Sequence, residues 1–169
     1  IYTYIMNDGY SYTFQGRSHG KAVYSDPMDR DALVNEIEEL TEDRDDVRAE
    51  VTEQGVKVSL DDIHFVPDEA RMLSGQNEKL RHIIEILSRY PERDILVVGH
   101  TARISSLNDG IVLSENRAQA VAAFLIESGV RRPDQVMTRG MGHREPIGDN
   151  ATEEGRRMNR RVEIIILEN

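Results

Sequence analysis

The chain has 169 residues, 38% hydrophobic and 31% charged, which excludes a disordered or fibrous polymer and fits one ordinary domain with additional sequence. It contains no cysteine, excluding disulfides and thiolate metal sites, and no apolar run approaches the roughly 18 residues of a membrane span. The net charge of −10 excludes a nucleic-acid partner, which needs a basic face.

That charge is uneven. Residues 1–55 hold 5 Lys+Arg against 13 Asp+Glu, whereas residues 56–169 hold 16 against 18. An acidic segment joined to a near-neutral one predicts a boundary near Gly55. Ile1 opens on patterned sequence with no initiator Met, so the chain is read as part of a longer protein, whose remainder could carry a signal or lipid anchor.

Taken in order, residues 1–14 alternate β-branched and aromatic residues around Asn7-Asp8-Gly9, which predicts a hairpin. Residues 1–27 are read as the hairpin-containing remnant of an upstream domain. Residues 28–54 are read as an acidic helical connector, with Leu33, Ile37 and Leu40 on one stripe and Val47 as its possible extension. Residues 56–65 form a strand, a hairpin or two short strands around Asp61-Asp62, ended by Pro67-Asp68. A helix over about 75–89 places Leu80, Ile83, Ile84 and Leu87 at i, i+3, i+4 and i+7, and Tyr90-Pro91 stops it. Residues 94–98 are a short buried strand.

A second helix runs from Ser114, read as its N-cap, to about Ser128, with Ala118, Val121, Ala122 and Leu125 inward and Gly129 just past its end. Arg117 then falls in the first helical turn, where the macrodipole disfavours a cation, and this oddity points to a ligand. Residues 136–138 are a strand, 139–158 a glycine-rich loop, and 162–167 a final apolar strand returning into the sheet. The order is βαβαββ. Ligands of such open sheets gather where strands end and helices begin, which singles out residues 99–117.

Several motifs stand on this frame: Gly99-His100-Thr101, Leu113-Ser114-x-x-Arg117-Ala118, Gly140-x-Gly142, Pro146, Asn150, and Gly155-Arg156-x-x-Asn159-Arg160-Arg161-Val162-Glu163. With them, residues 55–169 resemble the OmpA-like family of peptidoglycan-associated envelope domains. The resemblance implies an α/β (α+β) fold, a four-stranded mixed sheet with helices on one face. It implies binding of the diaminopimelate of peptidoglycan stem peptides, without catalysis. It also implies a place in the periplasm, or on the periplasmic face of the outer membrane, of a diderm bacterium.

Diaminopimelate presents an ammonium and a carboxylate, so the site needs an anion and a guanidinium. The carboxylate partners match: Arg117 and Arg160 can each grip a carboxylate through paired hydrogen bonds. Thr101 also matches, and His100, Ser114 and Asn159 are the supporting positions, His100 as an imidazole bonded to backbone. The ammonium side departs. The family's GHTD reads GHTA here, leaving Ala102 for the Asp, and Gly110 stands where an Asn is usual; Arg103 adds positive charge beside the gap. Asp109 is the one nearby candidate to replace the anion.

A retained scaffold with a disabled or strongly weakened site follows, hence a structural or interaction module with another envelope protein as a possible partner. The alternative is a peptidoglycan anchor that still uses Arg117 and Arg160. No enzyme is expected: there is no G-x-S-x-G or HExxH motif, and His64, His82 and His143 lack ligand spacing, so neither metal nor cofactor is implied.

Overall fold

The two most apolar segments form the middle of a single sheet. A computed structural model describes residues 2–5, 11–14, 28–61, 63, 77–103 and 106–168. Its strands are β1 (Tyr2–Ile5), β2 (Ser11–Phe14), β3 (Val47–Thr52), β4 (Gly55–Asp61), β5 (Ile95–Gly99), β6 (Val136–Gly140) and β7 (Arg161–Leu167); its helices are α1 (Arg30–Leu40), α2 (Asn77–Arg89), α3 (Leu107–Glu127) and α4 (Glu153–Asn159). The strand order is β1-β2-β6-β5-β7-β4-β3. Every residue of β5 and of β7 is buried, which is why β5 and residues 164–167 of β7 read as apolar runs rather than alternating ones, Arg161 and Glu163 being the buried charged exceptions.

The four strands legible in the sequence, β4 to β7, are the inner part of this mixed sheet. β5 runs parallel to β6 and antiparallel to β7, which pairs antiparallel with β4. One face carries the helices. Leu33 and Ile37 of α1, Leu80, Ile83, Ile86 and Leu87 of α2, and Ala118, Val121, Ala122 and Leu125 of α3 close over Val56, Val58, Leu60, Ile95, Val97, Ile164 and Ile166. A smaller buried cluster, including Leu96, Val98, Met137 and Ile165, lies on the other face.

Several expectations need correction. The acidic helix ends at Leu40, and β3 follows it, paired along its whole length with β4 from Val47↔Leu60 to Thr52↔Gly55. The boundary expected near Gly55 therefore cuts a tight hairpin, and residues 28–54 are no connector. Leu33 and Ile37 have no solvent exposure, and Arg30 pairs with Glu168 at 2.5 Å, so this segment is part of the core. Val47 belongs to a strand, because the turn-forming run of residues 42–46 stops the helix before it. The N-terminal strands likewise extend the sheet instead of standing apart: β1 pairs with β2, and β2 pairs with β6 through Thr13↔Thr138 and Phe14↔Met137. The turn at Asn7-Asp8-Gly9, Pro67-Asp68, His64 and the expected helix start at Gly75 lie outside the described residues.

In α2, Ile86 takes the fully buried place expected for Ile84, which is half-buried. The helix packs against both the sheet and α1, so its apolar stripe is wider than one i, i+3, i+4, i+7 row.

Candidate functional site

β5 ends where β7 begins. Gly99 lies opposite Val162, and the His100 N–H donates to the Arg161 carbonyl at 2.9 Å. The antiparallel pairing thus joins the Gly99-His100-Thr101 segment to Asn159-Arg160-Arg161. α3 crosses above this junction. It approaches closely because Gly99 and Gly140 offer no side chain: a Cβ on Gly99 would stand 2.1 Å from the Ser114 carbonyl oxygen, and one on Gly140 would stand 2.4 Å from the Ile111 carbonyl oxygen.

α3 starts earlier than the sequence suggests. Its N-cap is Ser106, whose hydroxyl accepts from the Asp109 N–H at 3.0 Å. Asn108-Asp109-Gly110 reads as a turn, but Asp is also favoured in a first helical turn, and here the helix wins. Two readings change. Arg117 is about three turns inside α3 and half-buried, so the macrodipole argument for it fails; its place is set by the helix face turned to the strand junction. Ser114 is no cap. It is fully buried, its hydroxyl donates to the Ile111 carbonyl at 3.0 Å, and it accepts from the Gly142 N–H at 2.9 Å, tying α3 to the loop after β6.

Arg117 and Arg160 line one small cleft with Ile63, Gly99, His100, Arg161 and Val162. Arg160 also pairs with Glu153 of α4 at 2.6 Å, and this contact, with that of Arg156, holds the Glu153 carboxyl below its usual range. Thr101 is buried; its N–H donates to the Gly142 carbonyl at 2.8 Å, while its hydroxyl finds no partner among the described residues.

Asn159, 1% exposed, organises the next loop. Its oxygen accepts from the N–H groups of Ile147 and Gly148, both at 2.8 Å, and its amide donates to the Gly148 carbonyl and to Asn150 Oδ1. Asn150 Oδ1 also accepts from the Arg103 N–H at 3.2 Å, linking this loop to the segment after Thr101. Ala102 is buried and Arg103 exposed. Gly110 is buried in the first turn of α3, whereas Asp109, one residue earlier and about 100° around the helix, is exposed.

Glu163 is the residue that sequence reasoning named within a motif but gave no role. Its Oε1 accepts from His100 Nε2 at 2.7 Å, its Oε2 from Arg161 Nε at 3.1 Å, and Lys57 Nζ lies 3.7 Å away. The expected backbone anchor of the His100 ring is therefore a carboxylate. Burial alone would raise the Glu163 carboxyl, but the hydrogen bond and charge of His100 and the charges of Arg161 and Lys57 outweigh it and hold it at about 2. An ionised carboxylate only accepts, so His100 Nε2 is the donor in this bond. Arg161 is 3% exposed and also donates to the Glu145 carbonyl at 3.0 Å. Of this cluster, His100 and Arg161 line the cleft, while Glu163 and Lys57 line a separate groove with Arg48, Glu50 and Ser59.

Among the described residues no group of three or more His, Asp or Glu could hold a metal, and no helix is long and apolar enough to cross a membrane.

Comparison with known proteins gives the family and the fold. Residues 64–160, more than half the chain, match the OmpA family, and the chain belongs to that family. It is 38% identical over 104 residues to the peptidoglycan-binding protein ArfA of Mycobacterium bovis, covering 62% of this chain and 32% of ArfA. It is 34% identical over 110 residues to outer membrane porin F of Pseudomonas fluorescens, covering 65% of this chain and 33% of the porin. The chain thus spans about a third of the length of these relatives. Among solved structures, the cell wall anchor of the type VI secretion system (T6SS) from Pseudomonas aeruginosa superimposes with a TM-score of 0.67 at 28% identity, over 80% of this chain and 97% of the anchor. These relatives are binding and envelope proteins.

Proposed function

We propose that this chain is a non-enzymatic domain of the periplasm or outer-membrane face of a diderm bacterium. Its peptidoglycan site has kept the carboxylate-binding half and lost the ammonium-binding half. The observation that carries this reading is the composition of the cleft: among the described residues Arg117, Arg160 and Arg161 line it and no carboxylate does, and Glu163, which lies outside it, is taken up by His100 and Arg161. Two buried polar atoms of cleft-lining residues, His100 Nδ1 and Arg161 Nη1, have no hydrogen-bond partner among the described residues, and such atoms mark places that a ligand or water completes.

The positions expected to hold the ammonium supply no anion. Ala102 is apolar and Gly110 has no side chain. Asp109 is turned away from the Gly110 direction, which argues against its standing in. Removing one partner of a buried charged pair costs about 2–5 kcal/mol, roughly 30-fold to several thousand-fold in affinity. A structural or interaction module is the role such a domain keeps, with another envelope protein as partner. The placement of Arg117 and Arg160 in one cleft favours the second reading, a residual anchor.

Co-sedimentation with peptidoglycan sacculi separates them. The native chain should stay largely in the supernatant, and A102D/G110N should move into the pellet with at least about 30-fold tighter binding. Saturable pelleting of the native chain that R117A abolishes would establish the anchor instead. A folded A102D/G110N that stays in the supernatant would mean that Arg103 blocks the site or that the loop has moved. R103N added to that pair distinguishes the two, because it restores binding only in the first case.

A further inference from the structure

We propose that β3 is a self-pairing edge, through which two copies of this chain join their sheets about a two-fold axis at Ala49. Nothing in the ligand cleft enters this inference. β3 ends the sheet, and among the described residues no strand covers its outer side. The Asp61 N–H donates to the Asp46 carbonyl at 2.8 Å, and hydrogen-bonded pairs alternate along an antiparallel ladder. The backbone groups of Arg48, Glu50 and Thr52 therefore turn inward to β4. Those of Val47, Ala49 and Val51 turn outward, three N–H groups and three carbonyls.

The sequence of this edge, Val47-Arg48-Ala49-Glu50-Val51, is complementary to itself when reversed. With Ala49 opposite Ala49 of the second copy, Val47 meets Val51 and Arg48 meets Glu50, each twice by symmetry. All the outward backbone groups are then bonded. Arg48 and Glu50 lie on the same face, where Arg48 already pairs with Asp61 at 2.5 Å and Glu50 with Lys57 at 2.6 Å. Pairing completes a row of alternating sign across four strands: Lys57 and Glu50 of one copy, then Arg48 and Asp61 of the other. Val51, an exposed β-branched residue at 45% exposure, gains a cover.

The register is specified, not merely allowed. Centring the pair on Glu50 or on Arg48 sets like charges opposite each other and aims the inward-turned backbone groups at the axis. The edge carries neither a proline nor a bulge, and its charges, Arg48 and Glu50, complement each other in this register instead of repelling a second copy. The contact is short, so the dimer forms at high protein concentration or where two copies are already held side by side.

Sedimentation equilibrium of the chain over micromolar to millimolar concentrations tests this. The native chain should show a reversible monomer–dimer equilibrium. A49P removes an outward N–H that β4 does not use, so it should weaken the dimer at least about tenfold while the fold survives. E50R sets a second guanidinium against Arg48 of the other copy and should weaken it comparably; it decides the matter if A49P does not fold. A native chain that is monomeric throughout, or a dimer that a folded A49P or E50R leaves intact, overturns the proposal.

Discussion

Glu163→Gln should cost about 3–5 kcal/mol of folding stability at neutral pH, because it strips the counter-charge from Arg161, which is 3% exposed and cannot recover water. Glutamine keeps the shape of the side chain, so the loss reports charge rather than volume. The pH dependence separates this from a packing effect. The native carboxyl, held at about 2, lies below its ordinary value of 4.5. Between these values the unfolded chain binds the proton more readily than the folded one. Glu163 therefore contributes stability that is complete above about pH 4.5 and is lost as pH falls toward about 2. Denaturant melts at a series of pH values should show a gap between native and variant that is widest at neutral pH and closes in acid. A gap that persists unchanged at pH 2 would assign the loss to geometry instead.

Gly99→Ala should cost about 3 kcal/mol or more, lowering the thermal midpoint by about 6–12 °C. The added Cβ meets the Ser114 carbonyl oxygen at 2.1 Å, its carbonyl carbon at 2.8 Å and its Cα at 3.2 Å. All three are helix backbone, so no side chain can swing aside and α3 itself must lift from β5. Arg117 lifts with it, so the cleft should lose its guanidinium in the same variant. Gly129 supplies the control. It follows the end of α3 at φ +84°, and nothing lies within 4 Å of a Cβ placed there. Gly129→Ala should therefore cost only about 1–2 kcal/mol, the penalty of a left-handed backbone for an L-residue. Equal costs at the two positions would contradict the close approach of α3.

Much of this frame is legible in the sequence. Short apolar, β-branched runs bounded by turn signals point to central strands, which locates β5 and the end of β7, and the spacing of Ala118, Val121, Ala122 and Leu125 gives the inner face of α3. What stays hidden depends on partners distant in the chain. Val47-Arg48-Ala49-Glu50-Val51-Thr52 suits a helix as well as a strand, and becomes a strand because β4 offers it an edge. The start of α3 is masked by a tripeptide with two good local solutions. The role of Glu163 becomes visible only when β7 is laid beside β5, since 63 positions separate it from His100. Arg131 is hidden for the same reason: it is buried and closes the end of α2 by donating to the carbonyls of Leu87, Tyr90 and Arg93, yet its sequence neighbours suggest only a solvated basic turn.

A calorimetric titration with matched ligands separates the two halves of the proposed site most directly. One ligand is a stem peptide containing diaminopimelate; the other is the same peptide with the side-chain amino group replaced by hydrogen. In the proposed site both would present the carboxylate to Arg117 and Arg160, and only the first would present an ammonium to the side of Ala102 and Gly110. The native chain should bind the two weakly and with equal affinity, and R117A should lose both. A native chain that binds the amino form at least about tenfold more tightly would contradict the proposal, because some anion of this chain would then be holding the ammonium.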